Sequence, residues 1–405
     1  MSDFPGRVAY PEALAIVRRV AAARRLGSER VATRRADGRI LAGPVQAPIP
    51  LPPFDNSRMD GFALRHADVL GEGGTRLRIV GEQFAGYSVG LRIGPGECAR
   101  ITTGAPLPAG ADTVIIREDV REQDGSISFD SVPMPGADIR AAGEDVAVGE
   151  QVLAAGQLLT PARLSLASAL GLAELQVAQR PTVAVFTTGD ELIEPGLPLG
   201  PGQIYNSNRE LLMGLLRAQG LEPTAWPSLP DDPARIAPQL RDAASAFDVV
   251  VTCGGVSAGQ KDYLPALLAA QGQIHFWKVR MKPGMPVLFG ALERAAFLGL
   301  PGNPVSALAT FQTLGCALLD GLQGRTEPRA RRFAALAAPW RKSHERYEFL
   351  RGRLQYGQDG RLSVLPHPAD ASHRLRAAAD SDVLLALPDG ARDYAVGDVV
   401  EVFGY

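Results

Sequence analysis

With 405 residues, 46% of them hydrophobic and 21% charged, the chain can build about two to four ordinary globular cores. Its net charge of −2 offers no general attraction to nucleic acid or to an anionic membrane. The three cysteines, Cys98, Cys253 and Cys316, form no C-x-x-C pair; this argues against a disulfide framework or a thiolate zinc site and fits a reducing compartment.

Arg7, Arg18 and Arg19 interrupt any signal-like apolar core at the N-terminus. No uninterrupted apolar run approaches a membrane span, so a soluble, cytoplasmic protein is the expectation. Residues 11–26 read as an amphipathic helix, with Leu14, Val17 and Val20 on one face and arginines opposite. The Pro-rich passage Pro44 to Pro53 cannot be a helix interior or a central strand. Between 54 and 145, short alternating runs such as Leu77 to Val80 and Val114 to Ile116 predict a small β domain. A helix follows over Pro161 to Leu170, with Thr160 as N-cap and Gly171 beyond its end.

From 181 the pattern alternates strand and helix. Three apolar runs, Val183 to Phe186, Val249 to Thr252 and Ala295 to Leu300, read as buried strands of an open parallel sheet. Helices are expected from near Asn208 (Leu211, Leu212, Leu215 and Leu216 inward), from Asp232-Pro233 (Ile236, Leu240 and Phe247 inward) and from Asn303-Pro304 (Val305, Leu308, Phe311 and Leu319 inward). This is a three-layer α/β domain. From about 326 onward the runs Tyr347 to Leu350, Leu362 to Leu365, Val383 to Leu387 and Val399 to Phe403 predict a small barrel or sandwich.

Each buried strand leads into a loop suited to anions: Thr187-Thr188-Gly189-Asp190-Glu191, Gly254 to Asp262, and Pro301-Gly302-Asn303-Pro304. Ligands of such sheets bind beyond the carboxyl ends of the strands, and glycine lets the backbone approach a phosphate. Glu191 and Asp262 place carboxylates at that mouth. Asp232 has a structural use as a helix cap, which leaves Asp231 as the better ligand. Carboxylates gathered there call for a hard divalent cation such as Mg2+, with Glu191, Asp231 and Asp262 as its candidates.

Other segments stay open between two readings. Phe54 to Phe62, with Asp60, is either a hydrogen-bonded turn or a functional loop. Arg100 to Ala105 either binds phosphate or caps a turn. On a strand, Lys278, Arg280 and Lys282 would share one face, to serve an oxyanion or to protect a sheet edge. The arginines between 325 and 353 make a solvated face or an anion-binding lobe. The five histidines show no metal spacing, and no nucleophile elbow stands out.

Ten stretches, in order from residue 52 to 352, resemble the MoeA family of molybdopterin molybdenumtransferases, a family that includes the C-terminal domain of gephyrin. They are PPFDNSRMDGFA, RITTGAPLPAGAD, AGEDV, TTGDELIEPG, IYNSN, DDP, CGGVSAGQKDY, FWKVRMKPGMP, LPGNPVSA and RYEFLRG. The resemblance implies Mg2+-dependent insertion of molybdate into adenylylated molybdopterin with release of AMP. It implies an elongated homodimer whose cleft is shared between the α/β domain of one subunit and the β domain of the other. It also admits the molybdopterin adenylyltransferase as a partner.

Its domain scheme is a discontinuous N-terminal domain (1–50 and 146–180), an inserted β domain (51–145), a MogA-like molybdopterin-binding α/β domain (181–325) and a C-terminal β domain (326–405). By motif match, Asp60, Asp145, Glu191, Asp231 and Asp262 are the acidic cleft residues. Thr103, Ser257, Lys278, Lys282, Pro301, Pro304, Arg346, Arg351 and Ser372 contact substrate or molybdate. Three departures stand out: Arg58 for a small residue, Met285 for the last lysine of a KPGKP motif, and His373, Arg374 and Arg376 near a usually Ser-Gly-rich turn, which weakens Ser372 as a contact. A non-catalytic pterin-binding scaffold and a related adenylyltransferase are the competing readings.

Overall fold

The structure is a computed structural model that describes residues 7–71, 74–86, 90–257, 259 and 261–405. The chain is multidomain, and its fold class is the expected one: a three-layer α/β unit flanked by β units. The α/β sheet has six strands in the order Thr224–Ala225, Val183–Thr187, Val249–Cys253, Ala295–Leu300, Leu288–Leu292 and Gly272–Trp277. The first four run parallel. The last two form an antiparallel edge, a departure from an all-parallel sheet.

Strand residues alternate between two cores. Val183, Val185, Val249 and Val251 pack with Leu212, Leu216, Val305, Leu308 and Val17 on one side. Ala184, Phe186 and Val250 pack with Ile236, Leu240, Leu264 and Leu268 on the other. Both faces are covered, which is why these strands read as continuous apolar runs.

The helices start where their caps say. Thr160 Oγ1 accepts from Arg163 N ahead of Pro161–Ala169, and Asp232 Oδ1 accepts from Ala234 N ahead of Pro233–Ala246. Asn206 caps Ser207–Ala218. The first helix spans Tyr10–Ala23; Tyr10, Ala13, Val17 and Ala21 bury its inner face, while the expected Leu14 and Val20 are only partly covered. The helical run Pro304–Leu322, with a π-turn at Phe311–Gly315, is apolar and long enough to cross a membrane, yet it is 78% buried as a core helix.

The chain leaves and re-enters the N-terminal region through two pairings, Ser28–Ala32 with Glu174–Ala178 and Val45–Gln46 with Gln151–Leu153. Between them lies a six-stranded sheet built on Gly61–Leu64, Thr75–Gln83, Glu97–Ile101 and Thr113–Ile116. At the other end, five strands close a ring. Tyr347–Tyr356 pairs with Leu362–Pro366, then Arg332–Leu336, Val399–Gly404 and Val383–Leu387, which returns to Tyr347–Tyr356. Closure removes the sheet edges and selects the barrel over the sandwich.

A bidentate ion pair ties the helix Pro161–Ala169 to the crossing into that barrel: Arg163 Nη1 and Nη2 lie 2.7 and 2.8 Å from the two Glu327 oxygens. The Arg163 hydrogen bond, the Leu158 N–H and the nearby Arg325 bring the Glu327 carboxyl from 4.5 down to about 2. A depressed carboxyl stabilises the fold above its unfolded value and loses that contribution as pH falls toward its folded one. Glu327→Gln is therefore expected to lower stability at pH 6 and to flatten the loss between about pH 4.5 and 2, as read by denaturant midpoints along a pH series.

Candidate active site

Sheet register brings the three loops together. Thr187 is level with Cys253, and Cys253 with Leu300, so all three strands end side by side and their loops leave from one line. A cleft of about 260 Å³ opens there, lined by Thr188, Gly189, Glu191, Asp231, Gly254, Gly255, Val256, Ser257, Lys261, Asp262, Pro286, Pro301 and Gly302. Five expected residues meet in it: Glu191, Asp231, Asp262, Ser257 and Pro301.

Glycine is needed at its floor. Gly254 has φ +98°, and a Cβ there would lie 2.4 Å from Thr188 Oγ1. Asp262 Oδ2 accepts from Gly259 N at 2.7 Å and closes the second loop on itself. Asp231 Oδ2 lies 3.3 Å from Lys261 Nζ, and this pairing, with Asp190 nearby, holds the Lys261 ammonium above its ordinary pKa. Asn206 Nδ2 donates to Thr187 Oγ1, and Asn208 Nδ2 to Gly302 O at 2.6 Å, so the IYNSN stretch fastens the first and third loops to one helix.

A second group sits where the barrel meets the sheet. Val279–Lys282 runs parallel to Tyr347–Tyr356, with Lys282 opposite Glu348. Lys282 Nζ lies 3.0 Å from both Glu348 and Asp370. Ser372 Oγ accepts from Asn303 Nδ2 at 3.1 Å, which places the barrel loop against the Pro-Gly-Asn-Pro loop. Arg351 is only 2% exposed, its guanidinium is bonded to the Ala369 and Ala371 carbonyls, and its Nε has no partner among the described residues.

The expected face of three cations is not formed. Arg280 and Lys282 share a strand face, but Lys278 sits outside the strand at φ +72° with its ammonium 4.1 Å over the Trp277 ring. The left-handed residue breaks the alternation. Pro304 does not line the cleft; it is the first residue of its helix, where a missing N–H costs nothing. Arg346 immediately precedes the strand Tyr347–Tyr356 and also lies outside the cleft lining. Four arginines between 325 and 353 are spent on ion pairs: Arg325 and Arg329 with Asp320, Arg331 with Glu401, and Arg341 with Asp393.

Asp60 and Thr103 form a third group, in the inserted sheet. Asp60 Oδ1 accepts from Thr103 N at 2.7 Å and from Thr103 Oγ1 at 2.8 Å, and these bonds, with Arg117, lower its pKa. Asp145 follows the short strand Ile139–Arg140, its N–H bonded to Leu51 O. Neither acid lines the cleft of its own chain.

Family profiles cover almost the whole chain. The MoeA N-terminal region (domain I and II) matches residues 8–171, a probable molybdopterin binding domain 184–320, and the MoeA C-terminal region (domain IV) 334–404. The molybdopterin molybdenumtransferase of Haemophilus influenzae is 39% identical over 372 residues, covering 91% of this chain and 92% of that protein. The chain belongs to the MoeA family of molybdopterin molybdenumtransferases.

Molybdopterin molybdenumtransferase 2 of Mycobacterium tuberculosis is 38% identical, covering 91% and 93% of the two chains. The crystal structure of the MoeA protein from Pyrococcus horikoshii superposes with a TM-score of 0.85 at 28% identity, covering 99% of this chain and all of that one. The protein is thus a transferase of molybdenum cofactor biosynthesis. Its departures from the MoeA pattern are accommodated structurally. Arg58 is exposed, with its N–H on Asp138 O. Met285 uses its carbonyl to accept from Val279 N in the turn before Pro286. His373 is exposed in a turn. Sequence reasoning passed over Lys261, although a lysine beside Asp262 in a glycine-rich loop was a readable sign. It also passed over Glu348 and Asp370, whose partners lie far away in the chain.

Proposed function

We propose that this MoeA-family enzyme inserts molybdate into adenylylated molybdopterin in an Mg2+-dependent step that releases AMP. The supporting observation is the cleft in which Glu191, Asp231, Asp262 and Ser257 converge on glycine-rich loops at the carboxyl ends of the strands. Cleaving a phosphoanhydride-like bond depends on neutralising and positioning charge.

The acidic residues of the lining, Glu191, Asp231 and Asp262, offer hard carboxylate oxygen. That fits Mg2+, which binds through one or two carboxylates and leaves its other positions to water and substrate phosphate. Glu191, Asp231 and Asp262 are the candidates for those one or two carboxylates, and the ion would supply charge neutralisation at the phosphate. The glycine turn admits the phosphate, and Lys261 adds a cation that Asp231 orients. At the barrel junction, Lys282, Arg351 and Ser372 would receive the molybdate dianion, with Lys278 over Trp277 as a further candidate.

Asp60, Thr103 and Asp145 would complete the cleft of a second copy in an elongated homodimer. In support, Asp60 is already fixed by Thr103, and Phe54 and Met59 beside it are 46% and 42% exposed. The sheets support a division into 1–50 with 146–180, 51–145, 181–325 and 326–405. Cytoplasmic action and receipt of substrate from a molybdopterin adenylyltransferase complete the reading.

The test mixes purified protein, adenylylated molybdopterin, Mg2+ and molybdate and follows AMP. AMP release that requires both Mg2+ and molybdate is expected. A folded dimer that releases no more AMP than a protein-free control refutes the proposal and leaves a pterin-binding scaffold.

A further inference from the structure

Contacts of two different kinds reach from the indole of Trp277 beside the cleft. Its Nε1–H donates to the carbonyl of Val256 at 2.8 Å, and its ring carries the Lys278 ammonium 4.1 Å from the centroid. Val256 is the fully buried residue of the glycine turn, between Gly255 (φ +68°) and the cleft residue Ser257. Its side chain is wedged under the sheet, where a Cβ on Gly299 would come within 2.6 Å of its Cγ1. The carbonyl of Val256 is therefore one point at which the sheet edge takes hold of the loop, beside the Gly254 N–H bond to Leu300 O. On the other side, Lys278 turns left-handed as the strand Gly272–Trp277 ends, with its N–H on Val287 O, and this backbone turn carries the side chain back over the ring.

We propose that Trp277 is a positioning residue that sets the Gly254–Ser257 turn and the Lys278 ammonium in register with each other. The inference rests on the reading of the cleft as the active site and adds to it a residue outside the cleft lining. A hydrogen bond from a sheet-edge side chain fixes a loop carbonyl more firmly than a loop-internal contact can, because the strand donor does not move with the loop. The ring face holds the cation by its quadrupole at small conformational cost.

Two variants remove the hydrogen bond and keep an aromatic face for Lys278. Trp277→Phe keeps an aromatic face and loses the donor; benzothienylalanine at 277 keeps the bicyclic shape and loses only the N–H. Both are expected to fold with unchanged circular dichroism and to lower kcat about tenfold, as for one hydrogen bond of ordinary worth, with KM for adenylylated molybdopterin changed less than about threefold. Amide exchange in a peptide covering 254–264 is expected to quicken in both. Wild-type kcat and wild-type exchange in the benzothienylalanine protein overturn the proposal. A change confined to KM, or a drop confined to thermal stability, also overturns it, since that marks mere binding or packing. Asp262→Asn run in parallel tests the underlying site: if it loses turnover while the Trp277 variants do not, only the present inference falls.

Discussion

Asp262→Asn and Glu191→Gln are expected to fold normally and to lose about 10²–10³ in the rate of Mg2+-dependent AMP release, the scale seen when one preorganised electrostatic group is removed. The geometry explains why folding survives. Asp262 Oδ2 accepts from Gly259 N at 2.7 Å, and an asparagine oxygen can accept that same bond. Glu191 lies beside the Gly189 turn, where glutamine has the same shape. What each change removes is charge at the mouth where the three strands end. The measurement is AMP release at saturating substrate across an Mg2+ titration, with circular dichroism as the fold control. Variants that both match wild type would dismiss the carboxylate assignment.

The largest expected effect on stability comes from Glu348→Ala. The Glu348 side chain is 3% exposed and lies 3.0 Å from Lys282 Nζ, 3.3 Å from His344 Nε2 and 3.3 Å from Trp340 Nε1. Removing one member of a buried ion pair strands the other, at about 3–5 kcal/mol when both are enclosed. Lys282 keeps Asp370 and some solvent, so about 2–4 kcal/mol is expected from denaturant midpoints. Burial pulls the Lys282 pKa down, but the Glu348 and Asp370 bonds outweigh it and hold it above the ordinary value. A raised lysine stabilises the fold below its unfolded value of 10.5 and loses that contribution only as pH climbs through the folded one. The wild-type advantage over Glu348→Ala should therefore be full at pH 7 and shrink in strong alkali. An unchanged midpoint at pH 7 would show that the pair contributes nothing.

What the sequence disclosed was mostly local. Thr160 and Asp232 announced their helices because capping chemistry needs only neighbours three or fewer residues away. The three cleft loops were legible because glycine and small polar residues follow buried apolar runs, and the sheet register then sets them side by side. What stayed hidden depends on distant partners. The strand Leu288–Leu292, which pairs antiparallel at the sheet edge, reads like any buried run. The helix Leu264–Gln271 is apolar on nearly every side and shows no periodic stripe. Lys278 looked like one of three cations in a row until its left-handed backbone placed it over Trp277. Lys282 looked like a free cation, whereas Glu348 and Asp370 already hold it across 66 and 88 residues of chain.

The short strand Val279–Lys282 is gripped on two sides by main-chain bonds, from Val8–Ala9 and from Tyr347–Glu348. Slipping it by one residue would break both ladders and reverse every side chain on it. The place of Lys282 is consequently fixed by the backbone itself. That backbone acts as a ruler, setting how far Lys282 stands from the end of the strand Gly272–Trp277.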